Sequence, residues 1–148
     1  MTKKLKLLLI APPIQDFYDT DVRLMPLGLA YLKAVIQKNF PSINVIIRDY
    51  HQGKGRFTVS WPKEFRDLAP FYPQHDTSPF STFHNYYHFG WSWESILKDI
   101  ASISPHVVGI SALFSCYHRE ALKVAQLVKS WNASTPVIMG GGFVSADG

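Results

Sequence analysis

Apolar residues fall along this chain in two alternating rhythms. Short, predominantly apolar runs occur at Leu5 to Ile10, Ile43 to Ile47, His106 to Ile110 and Val137 to Met139, and such runs read as strands, the first as one covered on both faces. Between them the spacing changes to three and four. Pro26 stands at a first helical position, and Leu27, Ala30, Tyr31, Ala34 and Val35 make one helix face ending near Asn39 and Pro41. Ser92 caps a second helix carrying Ile96, Leu97, Ile100 and Ile103, closed by Ser104-Pro105. Ala121, Val124, Ala125, Val128 and Trp131 form the stripe of a third.

Strands that alternate with helices imply a parallel sheet with right-handed crossovers. The predicted class is α/β, a three-layer flavodoxin-like (Rossmann-like) sheet of strand order 2-1-3-4. Residues 1–148 read as one domain. Such sheets continue to a fifth strand and helix, so the pattern predicts a domain cut before its last elements and belonging to a longer chain. Ligands of these sheets bind beyond the C-terminal strand ends, near the switch point between strands 1 and 3. Four loops matter, those after Ile10, Ile47, Ile110 and Met139.

The loop after the second strand is an insertion. From His51 to Trp93 it holds twelve of the chain's 21 aromatics, with four prolines and four histidines, which marks it as a lid, an interaction surface or a self-packed aromatic mini-core. His84 and His88 stand four apart with His75 nearby, a spacing that zinc sites use. No cysteine and no obvious third ligand lie close by, so no metal is expected there.

Composition narrows the classes. A chain with 47% hydrophobic and 18% charged residues is globular rather than disordered. The net charge of +4 comes largely from Lys3, Lys4 and Lys6 and forms no basic stripe, so no nucleic-acid partner is expected. The opening run is too short for a secretory signal and meets Pro12-Pro13, and no stretch approaches the ~20 apolar residues a membrane span requires. Cys116 is the only cysteine. It excludes an internal disulfide, fits a reducing cytosol and leaves no cysteine-rich metal site. It reads as a small buried or half-buried residue before a helix, and Glu120 as a first-turn acid favoured by the helix dipole.

The loops exclude several chemistries. The first has no G-x-G-x-x-G, the chain has no Walker-type G-x-x-x-x-G-K-[ST], and Ser111-Ala112-Leu113 stands where a phospho-receiver would carry an aspartate. What remains is a small-residue surface. Ser111 ends the third strand and Gly140, Gly141 and Gly142 end the fourth. Side chains removed from adjacent strand ends open a slot where backbone can meet a ligand.

Ser111-Ala112-Leu113, then 26 residues, then Gly140-Gly141 resembles the S-x-L and G-G segments of the cobalamin-binding domain. That family also has D-x-H-x-x-G after its first strand, and this chain has Pro12-Pro13-Ile14-Gln15-Asp16-Phe17 there instead. A near match, Asp49-Tyr50-His51-Gln52-Gly53, follows the second strand. At a sheet edge, Asp49 reads as a strand-end residue and His51 as a loop histidine. Together with Ala11-Pro12-Pro13, Pro26-Leu27-Gly28-Leu29-Ala30-Tyr31-Leu32 and Pro105 to Ser111, the pattern is similar to the N-terminal domain of cobalamin-dependent radical SAM enzymes. Many of those hold cobalamin with no histidine below the cobalt.

The resemblance implies a cobalamin-binding module of a methyltransferase-type enzyme, with no catalytic and no metal-ligating residue of its own. Pro13, Ile14, Phe17 and the stretch from Arg23 to Pro26 with Leu27 and Gly28 would floor the corrin. Ser111, Leu113, Gly140, Gly141 and Gly142 would line the tail slot, with Tyr117 and Phe143 beside it. The 4Fe–4S cluster and S-adenosylmethionine would belong to a downstream radical SAM domain of the same chain, which is the expected partner. Two other readings stay open from the residues: a flavin- or nucleotide-binding flavodoxin-like domain, and a non-catalytic interaction domain.

Overall fold

The computed structural model describes residues 4–18, 25–67, 69–71 and 85–146. Its centre is a four-stranded parallel sheet of β1 (Lys6–Ala11), β3 (Asn44–Asp49), β6 (Val107–Ser111) and β7 (Val137–Gly140), in the order β3-β1-β6-β7. That is the expected 2-1-3-4, an α/β layout consistent with a flavodoxin-like sheet. The register runs Leu8 beside Ile46 and Val108, and Ser111 beside Gly140.

Strand alternation divides the core in two. Leu8, Ile10, Val108 and Ile110 point to one face and pack with Ile96, Ile100 and Ile103 of α3 (Trp93–Ile103) and Ala121, Val124 and Val128 of α4 (His118–Trp131). Leu9 and Val45 point to the other, against Leu29 and Ile36 of α1 (Leu27–Asn39). Ser92 caps α3 by accepting from the Ser95 N–H, and Ser104 ends it in the left-handed region at φ 50°.

The face of α1 corrects the sequence reading. Leu27, Tyr31 and Val35 are exposed, and so are Ala30 and Ala34; Leu29 and Ile36, seven residues apart, meet the sheet instead. Apolar residues surround most of this helix, so spacing alone does not select the packed side. Pro26 precedes the helix as its cap residue, its carbonyl accepting from the Leu29 and Ala30 N–H groups.

A second sheet was not foreseen. β2 (Ile14–Asp16), β4 (Arg56–Val59) and β5 (Tyr86–Phe89) pair antiparallel in the order β2-β5-β4. Part of the aromatic insertion thus folds onto the loop after β1. One face stacks Phe57 on His88 at 4.7 Å, and Trp93 meets the same imidazole at 4.9 Å. Phe17 gathers Trp61, Phe65 and Tyr86, with ring centroids 4.8 to 5.3 Å away. The short helix α2 (Lys63–Arg66) closes this side, and Glu64 pairs with Arg119 of α4 at 2.6 Å.

The two sheets are joined tightly at one point. The Gly90 backbone lies against Tyr50 and His51, so close that a Cβ there would stand 2.1 Å from the Tyr50 carbonyl oxygen. Gly90 takes φ 110°, and the next N–H, that of Trp91, donates to the Tyr50 carbonyl. α5 (Gly142–Ala146) follows β7. Among the described residues no helix is long and apolar enough to cross a membrane.

Candidate functional site

A cavity of about 460 Å³ opens beyond the C-terminal ends of β1, β3 and β6, at the switch point where a parallel sheet of this order binds ligands. β1, the turn after it and β2 contribute Ala11, Pro12 and Ile14, and the approach to α1 contributes Tyr18, Met25 and Pro26. The end of β3 supplies Asp49 and His51. Ser111, Ala112, Leu113 and Phe114, then Cys116 and Tyr117, form the wall that leads from β6 to α4. The lining is mainly apolar, and none of these described residues is a lysine or arginine.

Of the residues expected at a site, Ile14, Pro26, Ser111, Leu113 and Tyr117 meet at this cavity. Pro13 is fully buried and is not among the lining residues. Phe17 belongs to the aromatic cluster of the second sheet. Leu27 and Gly28 lie exposed in the first turn of α1, outside the lining. Arg23 is outside the described residues, as are His75 and His84.

Two of the three glycines, Gly141 and Gly142, have a different neighbour from the one anticipated, and Gly140 has nothing within 4 Å of where a side chain would start. Gly141, at φ 123°, approaches the Ala112 carbonyl so closely that a Cβ would stand 2.5 Å from its oxygen, and a Cβ on Gly142 would stand 2.8 Å from the Leu113 oxygen. Ala112 N–H donates to the Gly140 carbonyl and Phe143 N–H to the Ala112 carbonyl. The missing side chains do make room, and the backbone after β6 occupies it. Phe143 packs on the main core and stacks on His118 at 5.0 Å, so neither it nor the glycines reach the cavity.

His51 lies in the bend after β3, as the sequence indicates, and it also belongs to the cavity lining. It is only 7% exposed. Its backbone N–H donates to Asp49 Oδ1 at 3.1 Å, and its ring lies edge-on to Phe89 at 6.4 Å. The sequence signal was present in Asp49-Tyr50-His51. What hid it was the second sheet, which folds back over the β3 end and makes an edge position an interior one.

Behind the wall, Tyr117 donates its phenol to Asp16 Oδ2 at 2.6 Å, and Tyr86 donates to the Gln15 carbonyl at 3.0 Å. Glu120, in the first turn of α4, is buried, and its Oε2 has no hydrogen-bond partner among the described residues. Burial raises its carboxyl above the usual range. Burial likewise raises the phenols of Tyr117 and Tyr86, helped by the neighbouring carboxylates. Cys116 is exposed rather than buried, and partial desolvation with the Asp16 and Glu120 carboxylates pushes its thiol up, away from thiolate reactivity.

His88 is fully buried, with Nε2 at 2.7 Å from the Trp91 carbonyl and Nδ1 at 3.1 Å from Gln15 Nε2. The carbonyl requires a proton on Nε2, so Nδ1 accepts from the amide and the ring is neutral. This histidine is a structural crosspiece. No group of three or more metal-ligating side chains occurs among the described residues.

No protein family, curated protein or solved structure matches this chain.

Proposed function

We propose that the cavity is a cofactor site and that its cofactor is cobalamin, held by this domain for a cytosolic radical SAM enzyme of methyltransferase type. The observation that carries the reading is the meeting of two resemblance segments at one cavity: Ser111 and Leu113 on one wall, Ile14 and Pro26 on another. A mainly apolar wall with a few polar groups suits one face of a flat ring system, and about 460 Å³ takes in a part of so large a cofactor, the rest of which would stand outside the cavity.

The fit is uneven along the chain. Pro12, Ile14, Met25 and Pro26 offer an apolar surface, and Asp49 can accept from the amide-bearing rim of a corrin. Gly141 and Gly142 do not take part, because the Ala112 and Leu113 carbonyls fill the space beside them. In this reading Ser111 and Leu113 alone of the second motif pair touch the cofactor. A bound cobalamin supplies methyl-transfer or radical chemistry; the residues here supply position, exclusion of water and an apolar surround. The 4Fe–4S cluster and S-adenosylmethionine remain assigned to a separate domain of the same protein.

The absence of lysine and arginine from the described wall weighs against a flavin or nucleotide anchored by its phosphates. The test is retention. Purified protein is mixed with hydroxocobalamin at neutral pH, freed of excess and read in the visible range. A stoichiometric red-to-orange species supports the reading. A protein that stays colourless, or that instead retains flavin and turns yellow, rejects it.

A further inference from the structure

We infer that the outward face of α1 is a dimer interface, on which α1 of a second copy of this chain lies antiparallel. The inference stands apart from the cobalamin reading and draws only on the surface of this helix.

Leu27, Ala30, Tyr31, Ala34 and Val35 recur at three and four, the spacing of a packed helix face. Leu29 and Ile36 take the sheet instead. At about 100° per residue, the regular stripe lies on the side opposite those two. Leu27 is 60% exposed, Tyr31 75% and Val35 55%. A helix apolar on two opposite sides is built to be covered on both, and an open apolar stripe of this length marks a contact surface.

Three properties of the stripe select a second copy as its cover. The first is charge. α1 contains no acid, its lysines are Lys33 and Lys38, and only Lys38 falls on the outward side. Contacts between identical chains are the more apolar class, with charge depleted at their centre. The second is area. Met25 and Phe40 are exposed at the two ends of the helix, and Leu32 on its flank. Together with Leu27, Tyr31 and Val35 they offer roughly 100 Å² of apolar surface apiece. That is most of the roughly 800 Å² each partner brings to a standard stable interface.

The third property is that the stripe complements its own reverse. A two-fold axis crossing α1 between Leu32 and Lys33 sets Tyr31 opposite Ala34 of the second copy, and Ala30 opposite Val35. Leu27 then meets the methylene stem of Lys38. Each large side chain faces a small or flexible one, as a self-complementary contact requires. The same register brings Phe40 of the second copy to Met25, a ring against a thioether. Met25 lines the cavity, so the second copy would complete one edge of it.

The experiment is sedimentation equilibrium on the purified protein and on variants of this face, each also melted. Wild type is expected at twice the chain mass in the micromolar range. Tyr31→Glu puts a charge at the centre of the contact and should raise the dissociation constant by about thirtyfold or more. Leu122→Glu, at an exposed position of α4, should leave the dimer intact. In a Cys116→Ser background, mixed Ala30→Cys and Val35→Cys chains should cross-link more readily than either chain alone. A wild type that is monomeric across the micromolar range overturns the inference, and so does one that engages only a different protein through α1. A dimer that Tyr31→Glu leaves unchanged overturns it as well, as does cross-linking no greater in the mixture. If Tyr31→Glu does not fold, Val35→Lys makes the same comparison. None of these outcomes bears on cofactor retention, so the cobalamin reading stands or falls separately.

Discussion

Tyr117 and Asp16 are 101 positions apart in the chain and joined by a 2.6 Å hydrogen bond. One belongs to the wall between β6 and α4 and the other to β2, so the bond fastens the small antiparallel sheet to the main domain at the cavity's edge. Hydrogen bonds with a carboxylate acceptor contribute about 1.5 to 3 kcal/mol when partly shielded. Tyr117→Phe should therefore lower stability by about 1.5 kcal/mol. In a double-mutant cycle with Asp16→Asn, read from urea midpoints, a coupling below about 0.5 kcal/mol would show that the two residues do not act as a fastening.

Glu120 sets a pH dependence with a definite sign. Its folded-state carboxyl is raised above the ordinary 4.5 by burial, so the folded state holds a proton that the unfolded state releases first. Stability contributed in this way is present at and below that ordinary value and is lost as pH climbs through the raised one. Glu120→Gln should remove this decline, giving a flatter profile on the alkaline side of 4.5. A wild-type and variant pair with parallel melting-temperature profiles between pH 4 and 8 would contradict the expectation.

His88 acts in the opposite direction. Burial lowers its imidazole below the ordinary 6.5, and the neutral ring is the form its two partners require. Stability is complete above that ordinary value and falls as pH drops through the lowered one. His88→Gln, which can donate to the Trp91 carbonyl but not accept in the same geometry, should lose stability at neutral pH and also lose the acid-side slope. The comparison is a chemical-denaturation series from pH 7 down to pH 5.

Three glycines should respond differently to alanine. At Gly90 the added carbon meets the Tyr50 carbonyl at 2.1 Å in a positive-φ backbone, and a loss of about 3 kcal/mol or more is expected. Gly141→Ala meets the Ala112 carbonyl at 2.5 Å, also at positive φ, and should cost about 2 kcal/mol. Gly140 has nothing within 4 Å, so its alanine variant should melt with wild type. Equal melting temperatures for all three would show that none of these approaches is tight.

Local pattern carried most of the fold. The runs around Leu8 and Ile10 and around Val108 and Ile110 each specify a doubly covered strand, and Ser92 specifies a cap, because the forces involved act within a few residues. β2 was invisible for the contrary reason. Ile14, Gln15 and Asp16 become a strand only by pairing with Phe89, His88 and Tyr87, a contact across some seventy residues that no window contains. α1 failed at another level, since Leu29 and Ile36 are chosen over Leu27, Tyr31 and Val35 by the shape of the sheet. At the cavity, Ser111 and Leu113 could be placed from the end of their strand, and Ile14, Pro26 and Tyr117 join them there from segments close by in the fold. His51 became interior through the second sheet, and Gly141 meets a carbonyl instead of open space.

The close approach at Gly90 bears on how such a protein can change over generations. The aromatic insertion and the His51 turn share a gap too narrow for one methyl group. Neither can drift in length or direction unless the other moves in step. Variation in the insertion should therefore accumulate away from this junction, and a lineage that lost glycine here would have to rebuild both sheets together.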